Sequence, residues 1–138
     1  MGNNKPFDQI KIGDTAEFDI VIDDSLHNAF STMVQDHSSI HVDDSFAKKN
    51  KFSKKIGYAF LLTSFLSQLY GEHLPGGSSI CLKQESNFIK PYYIGEAITI
   101  KAEVIEKVKS TRLVTIKTTM LSGKDIIFKG NGIVKVLF

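Results

Sequence analysis

The spacing of apolar residues changes period along the chain. Residues 15–22, TAEFDIVI, alternate, with Ala16, Phe18, Ile20 and Ile22 on one face, which predicts a strand. Asp24 is placed to cap the helix that follows. Leu26, Ala29, Phe30, Met33 and Val34 then fall at i, i+3, i+4, i+7 and i+8 and predict a helix with a one-sided apolar stripe. That stripe puts His27 on the solvated face and Asp36 at the helix end, facing a loop. The segment HVDDSFAKKNKFSKK reads as a short turn or helix followed by a basic stretch. From Ala59 to Tyr70 the chain is apolar nearly all round, which predicts a helix buried on most sides. Gly71 is expected to end it, and Pro75-Gly76-Gly77 prevents its resumption.

Beyond residue 79 the period becomes two. Ile80, Leu82, Gln84, Ser86 and Phe88 alternate with Cys81, Lys83, Glu85, Asn87 and Ile89, and AITIKAEVIEKV, RLVTIKTTML and IIFKGNGIVKVLF are further strands. The links between them are shorter than the dozen or so residues a parallel crossover needs, so the sheet is predicted to be antiparallel. A buried helix followed by four long strands is an α+β pattern. A curved antiparallel sheet wrapped around the helix, the hot-dog arrangement, supplies its apolar cover.

Composition narrows the function. With 138 residues the chain is read as one domain, 1–138. Seventeen basic and fifteen acidic residues give +2 at pH 7, too weak a balance to imply nucleic acid. The longest apolar stretch is interrupted by Thr, Ser and Gln and is too short to span a bilayer, so no membrane association is expected. MGNNKPFDQIKIGDT lacks the apolar core of a signal peptide. The single cysteine, Cys81, permits no internal disulfide and suits a reducing, cytoplasmic setting; a packed, inert thiol is expected.

The chemistry concentrates in VQDHSSIHVDDSF, where Asp36 and His41 stand five residues apart. A carboxylate and an imidazole at that spacing are either solvated loop groups or an acid/base pair. His37 and His41 with Asp43 or Asp44 are a weak metal pattern lacking a further clustered ligand, so no metal is expected. No G-x-S-x-G elbow accompanies a serine. Ser67 lies mid-helix, where a back-bond to a carbonyl one turn earlier and a site role are both open. Lys48, Lys49 and Lys51 belong to a basic run that is either a solvated face or a landing site for anions.

From Val34 onward the chain resembles the MaoC-like, R-specific enoyl-CoA hydratases of the hot-dog superfamily. The matching stretches are DHSSIHVD, GYAFLLTSFLSQLYG, LPGGSSI and FIKPYYIGE, in the family's order and spacing. The resemblance implies Asp36 and His41 as the catalytic pair. It implies an oxyanion and substrate-binding group at Ala59, Ser67 and Tyr58, with the Ala59 N–H directed at the thioester oxygen; the Tyr58 side chain is read as packing. It also implies a homodimer and no cofactor beyond CoA or acyl carrier protein as substrate carrier; the basic run itself offers Lys48, Lys49 and Lys51 as a docking site for that carrier. Three departures stand out: Ser38-Ser39 where the family has Asn-Pro, Tyr58 where it has histidine, and Ala59 where it has glycine. The expected activity is hydration of trans-2-enoyl thioesters to (R)-3-hydroxyacyl thioesters, or the reverse dehydration. The alternatives are a hot-dog thioesterase and a binding module that keeps the acyl groove without catalysis.

Overall fold

The alternating segments late in the chain fold as long strands because each carries one apolar face toward a single helix. The computed structural model describes residues 5–137. A short 3-10 turn at Phe7–Gln9 precedes β1 (Thr15–Val21), α1 (Asp24–Val34), α2 (Ser39–Val42), α3 (Asp44–Lys49) and α4 (Ala59–Gln68). One π-helical turn, Leu69–His73, extends α4, and β2 (Ser79–Phe88), β3 (Ala97–Val108), β4 (Leu113–Ser122) and β5 (Asp125–Val136) follow. All strand pairs are antiparallel, in the order β1-β3-β4-β5-β2, so β1 and β2 form the two edges.

The predicted alternation is reproduced in β3 and β4, where Ile98, Ile100, Ala102, Val104, Val114, Ile116 and Met120 all point inward. They meet Leu61, Leu62, Leu66 and Leu69 of the central helix, with Phe128 and Val134 of β5, in one core cluster. Fully burying a side chain of this size contributes about 1.5–3 kcal/mol, so this contact dominates the cohesion of the fold.

Four local expectations are corrected. The cap of α1 is Asp23, whose carboxylate accepts from the Leu26 N–H at 2.9 Å, not Asp24. The predicted stripe of α1 coincides with the buried face only at Phe30: Met33 is 72% exposed and Leu26 and Val34 are exposed, while the polar His27 and Ser31 are buried beside Phe30. The helix is oriented by its polar contacts with the following loop rather than by its apolar count. Gly71 does not end the central helix in a left-handed turn; it lies within the π turn, and the positive-φ glycines are Gly76 and Gly77 further on. The central helix is also not covered all round. Phe60 is 74% exposed, and Ser64, Ser67 and Gln68 are exposed beside it, because the sheet covers one flank only.

Candidate active site

The site is built from the end of α1, the loop 35–38, α2 and the entrance to α4. Gln35 turns the chain out of α1 with φ 61°. Asp36 N–H donates to the Ser31 carbonyl, and the Asp36 carbonyl accepts from the hydroxyls of Ser31 at 2.8 Å and Tyr58 at 2.5 Å. The Asp36 backbone is thereby pinned from two sides while its carboxylate faces outward. Oδ1 accepts from the Ser38 N–H at 3.0 Å. That bond, then the Ser38 hydroxyl, hold the carboxyl below the usual range, and the nearby His41 and His37 rings lower it further. His37 turns aside: its Nδ1 lies 3.0 Å from the Ser31 hydroxyl.

His41 is fixed by its own hydrogen bond. Nδ1 lies 2.9 Å from the Ile56 carbonyl, which can only accept, so Nδ1 carries the hydrogen. In the neutral ring Nε2 therefore bears the free lone pair, the tautomer a general base needs. The ring stacks on Tyr58 at 4.0 Å between centroids. The acceptor strand of this arrangement is held in turn, because the Ile56 N–H donates to the Ile40 carbonyl at 3.2 Å.

His27 is a site residue that the sequence reading placed in solvent. It is 1% exposed, and its Nε2–H donates to the His41 carbonyl at 2.9 Å. Its Nδ1 is buried with no hydrogen-bond partner among the described residues. Burial lowers its pKa, so the neutral form is favoured. The only sequence signal was local: His27 is one turn from Ser31 and on the same face, a polar pair whose partners lie in the Asp36–His41 loop.

Tyr58 is more than packing, and it does not line the groove between α4 and β2. It is 3% exposed, spans Asp36 and His41, and has its carbonyl bound by the Tyr92 hydroxyl at 2.8 Å. Gly57 precedes it for a steric reason, since a Cβ there would overlap the Tyr92 ring. Tyr58 is the N-cap residue of α4 and makes no side-chain cap bond, since tyrosine lacks the short side-chain oxygen that caps a helix start. The first-turn N–H groups of α4, beginning at Ala59, thus lack the intrahelical partner and the side-chain cap that helix starts commonly have. Ala59 has no positive φ, so the alanine is unstrained there.

Ser67 lies further along α4 on the wall of a groove of about 730 Å³ between α4 and β2. The back-bond that the sequence allowed for it is made instead by Ser64, whose hydroxyl donates to the Phe60 carbonyl at 2.7 Å. Cys81 also faces this groove and is exposed, contrary to the expected packed thiol; a bulge between Cys81 and Lys83 shifts the strand register there. Lys48, Lys49 and Lys51 are exposed at and beyond the end of α3, and none is ion-paired among the described residues. The weak metal pattern disperses: Asp43 caps α3, Asp44 accepts from the Lys55 N–H, and the described residues contain no cluster of three ligands. No described helix is long and apolar enough to cross a membrane.

A single antiparallel sheet wrapped on one helix is the architecture of the hot-dog hydratases. The chain belongs to the MaoC like domain family, which matches residues 8–124. It is 27% identical to the 3-hydroxybutyryl-CoA dehydratase of Methylorubrum extorquens over 94% of this chain and 83% of that protein. It is 31% identical to the (R)-specific enoyl-CoA hydratase of Aeromonas caviae over 78% of this chain and 81% of that protein. The solved (R)-hydratase from A. caviae involved in PHA biosynthesis superposes with a TM-score of 0.87 at 28% identity, covering 92% of this chain and 97% of the other.

Proposed function

We propose that the protein is a hydratase/dehydratase that interconverts trans-2-enoyl and (R)-3-hydroxyacyl thioesters. The observation that carries this reading is the His41 Nδ1–H bond to the Ile56 carbonyl, which leaves Nε2 as a proton acceptor beside the ionised Asp36. In hydration a water bridges the Asp36 carboxylate and His41 Nε2. His41 takes one proton from it as the oxygen bonds to the β-carbon. Electron density moves onto the thioester oxygen, where the uncapped Ala59 N–H stabilises it. The proton then returns from His41 to the α-carbon, so water is consumed and no net proton is released. Dehydration is the same path reversed. The sequence of transfers balances with water and protons alone and calls for no redox cofactor or metal.

The carrier is CoA or acyl carrier protein, and the exposed Lys48, Lys49 and Lys51 supply positive charge for its phosphates or acidic surface. The assembly is a homodimer: the edge strand β2 presents exposed Ile80 and Leu82, which a second copy would cover. A chain with one exposed thiol suits the reducing cytoplasm.

The test is incubation with crotonyl-CoA, following loss of the conjugated enoyl absorbance alongside a thiol reagent. Hydration predicts loss of absorbance with no free thiol, whereas thiol release identifies a thioesterase. Asp36→Asn and His41→Ala should each lower hydration by about a hundredfold or more. The double variant should be little worse than either, since one water serves both groups. Near-normal turnover in both single variants removes the pair from the mechanism.

A further inference from the structure

We infer that His27 is a positioning residue, holding the His41 carbonyl so that His41 Nε2 stays where it can exchange a proton with the bridging water. This rests on the hydratase reading above and adds a residue that acts only through His41.

His41 stands in α2, a helix of four residues that buries no side chain and has no side-chain cap at Ser38. One turn of helix is not stable by itself, and apolar burial does not place this one. Its position is set by hydrogen bonds that reach it from elsewhere. Two come from one residue of the loop before α4: the Ile56 carbonyl accepts from His41 Nδ1, and the Ile56 N–H donates to the Ile40 carbonyl. The bond from α1 is the His27 Nε2–H to the His41 carbonyl at 2.9 Å. It ties the single turn to a helix of 11 residues. Ring and backbone of His41 are thus gripped separately. Ile56 fixes the imidazole edge and His27 the main chain behind it, while Tyr58 stacks on the ring face.

This bond, and not packing, is what calls for histidine at position 27. The side chain is 1% exposed and lies against the Tyr58 ring, 4.7 Å between centroids. An apolar side chain would fill that space. Histidine instead leaves a buried Nδ1 with no partner among the described residues, a cost to folding that only the bond made by Nε2 offsets. Burial lowers the pKa of the ring; Lys55 and His41 act in the same direction, and Asp24 in the opposite one. The grip therefore adds no positive charge beside the His41 imidazole, which has to accept a proton and lies 6.4 Å away between centroids. One turn further along the same face, the Ser31 hydroxyl holds the Asp36 carbonyl at 2.8 Å. That carbonyl has a second donor in Tyr58, whereas among the described residues His27 is the only side-chain donor to the His41 carbonyl. Its loss has no backup.

A displacement of about 1 Å in a reacting group can cost about a hundredfold in rate. The loss of this bond should therefore appear in kcat and not in substrate binding.

The experiment compares His27→Gln with His27→Met and His27→Asn in hydration of trans-2-enoyl-CoA by the intact protein. Turnover is referred to the folded fraction, read by circular dichroism at the assay temperature. Glutamine carries its amide nitrogen as many bonds from the backbone as His27 Nε2 and keeps a donor there. Methionine has the same reach and no donor, and the donor of asparagine falls one bond short. His27→Met and His27→Asn should each lower kcat about tenfold or more with KM within about threefold, and His27→Gln should stand at least about fivefold above both. Methionine suits a buried position, so the comparison stands even where asparagine prevents folding. A methionine variant as fast as the unaltered protein, a glutamine variant no faster than methionine, or a change confined to KM overturns the positioning role and leaves the hydratase reading intact. No turnover by the unaltered protein overturns the hydratase reading itself, and the positioning role falls with it.

Discussion

The Tyr58 hydroxyl donates to the Asp36 carbonyl at 2.5 Å, across 22 residues of sequence. The same side chain stacks on His41 at 4.0 Å, so one residue fixes the separation of the two groups that would share a water. Tyr58→Phe removes the bond to Asp36 and keeps the stack. A hydrogen bond of this kind is worth about 0.5–1.5 kcal/mol to folding, so a modest fall in thermal midpoint is expected. The larger effect should be on turnover, about tenfold, with the Michaelis constant little changed, because Asp36 loses its position and not its chemistry. Steady-state kinetics beside a melting curve check this. A raised Michaelis constant with normal turnover would mean that Tyr58 acts on substrate instead.

His27 predicts a pH dependence of stability. Its pKa is lowered from 6.5 in the folded protein, chiefly by burial, while the unfolded chain titrates near the ordinary value. The groups that act on it are the His41 carbonyl and ring, Lys55 and Asp24, and Tyr58 packs against its ring. Below about 6.5 the unfolded state binds the additional proton, so stability is full above that pH and declines as pH falls toward the lowered folded value. Protonation would also give the buried Nδ1 a hydrogen with no acceptor. Melting curves between pH 5 and 8 should show a loss of a few degrees on the acid side. His27→Gln, which can still donate to the His41 carbonyl but cannot titrate, should flatten that part of the profile. An identical acid slope in the variant would assign the loss to other groups.

How legible this site was depended on what fixes each residue. The core-facing alternation of β3 and β4 could be read directly because burial there follows period alone. The positions of Asp36 and His41, just beyond the end of α1 and in α2, could be placed from the family-like stretch around them, and the head of the central helix at Ala59 from the apolar run that follows it. His27 and the orientation of α1 could not. The apolar stripe of Leu26, Met33 and Val34 outvoted His27 and Ser31 in any hydrophobic count, yet hydrogen bonds to Asp36 and His41 set which face turns inward. The double role of Tyr58 was hidden for a similar reason, since its partner lies 22 residues away and is a backbone carbonyl.

The lysines separate binding from chemistry. Lys48 and Lys49 close α3, where cations are mildly favoured by the helix dipole whatever their function. Replacing Lys48, Lys49 and Lys51 with glutamate should raise the Michaelis constant for enoyl-CoA and flatten its dependence on salt, with turnover little changed. The comparison is a salt series on both proteins. Equal salt dependence in the two would leave these residues as a solvated charged face.

Ala59 tests the oxyanion assignment. The N–H is present with alanine or glycine, so the electrostatic group is the same and only the methyl differs. Ala59 begins α4 with no positive φ, so glycine brings no relief of backbone strain. It does bring conformational freedom to the unfolded chain, and the cost should be up to about 1 kcal/mol. If the methyl crowds the thioester, Ala59→Gly should raise turnover despite this lower stability, because the oxyanion can then approach the N–H more closely. Turnover and thermal midpoint measured on one preparation distinguish the cases. A lower midpoint with higher turnover places the Ala59 N–H at the reacting carbonyl, whereas a lower midpoint with unchanged or reduced turnover removes Ala59 from the site and leaves Tyr58 as the link between α4 and the Asp36–His41 pair.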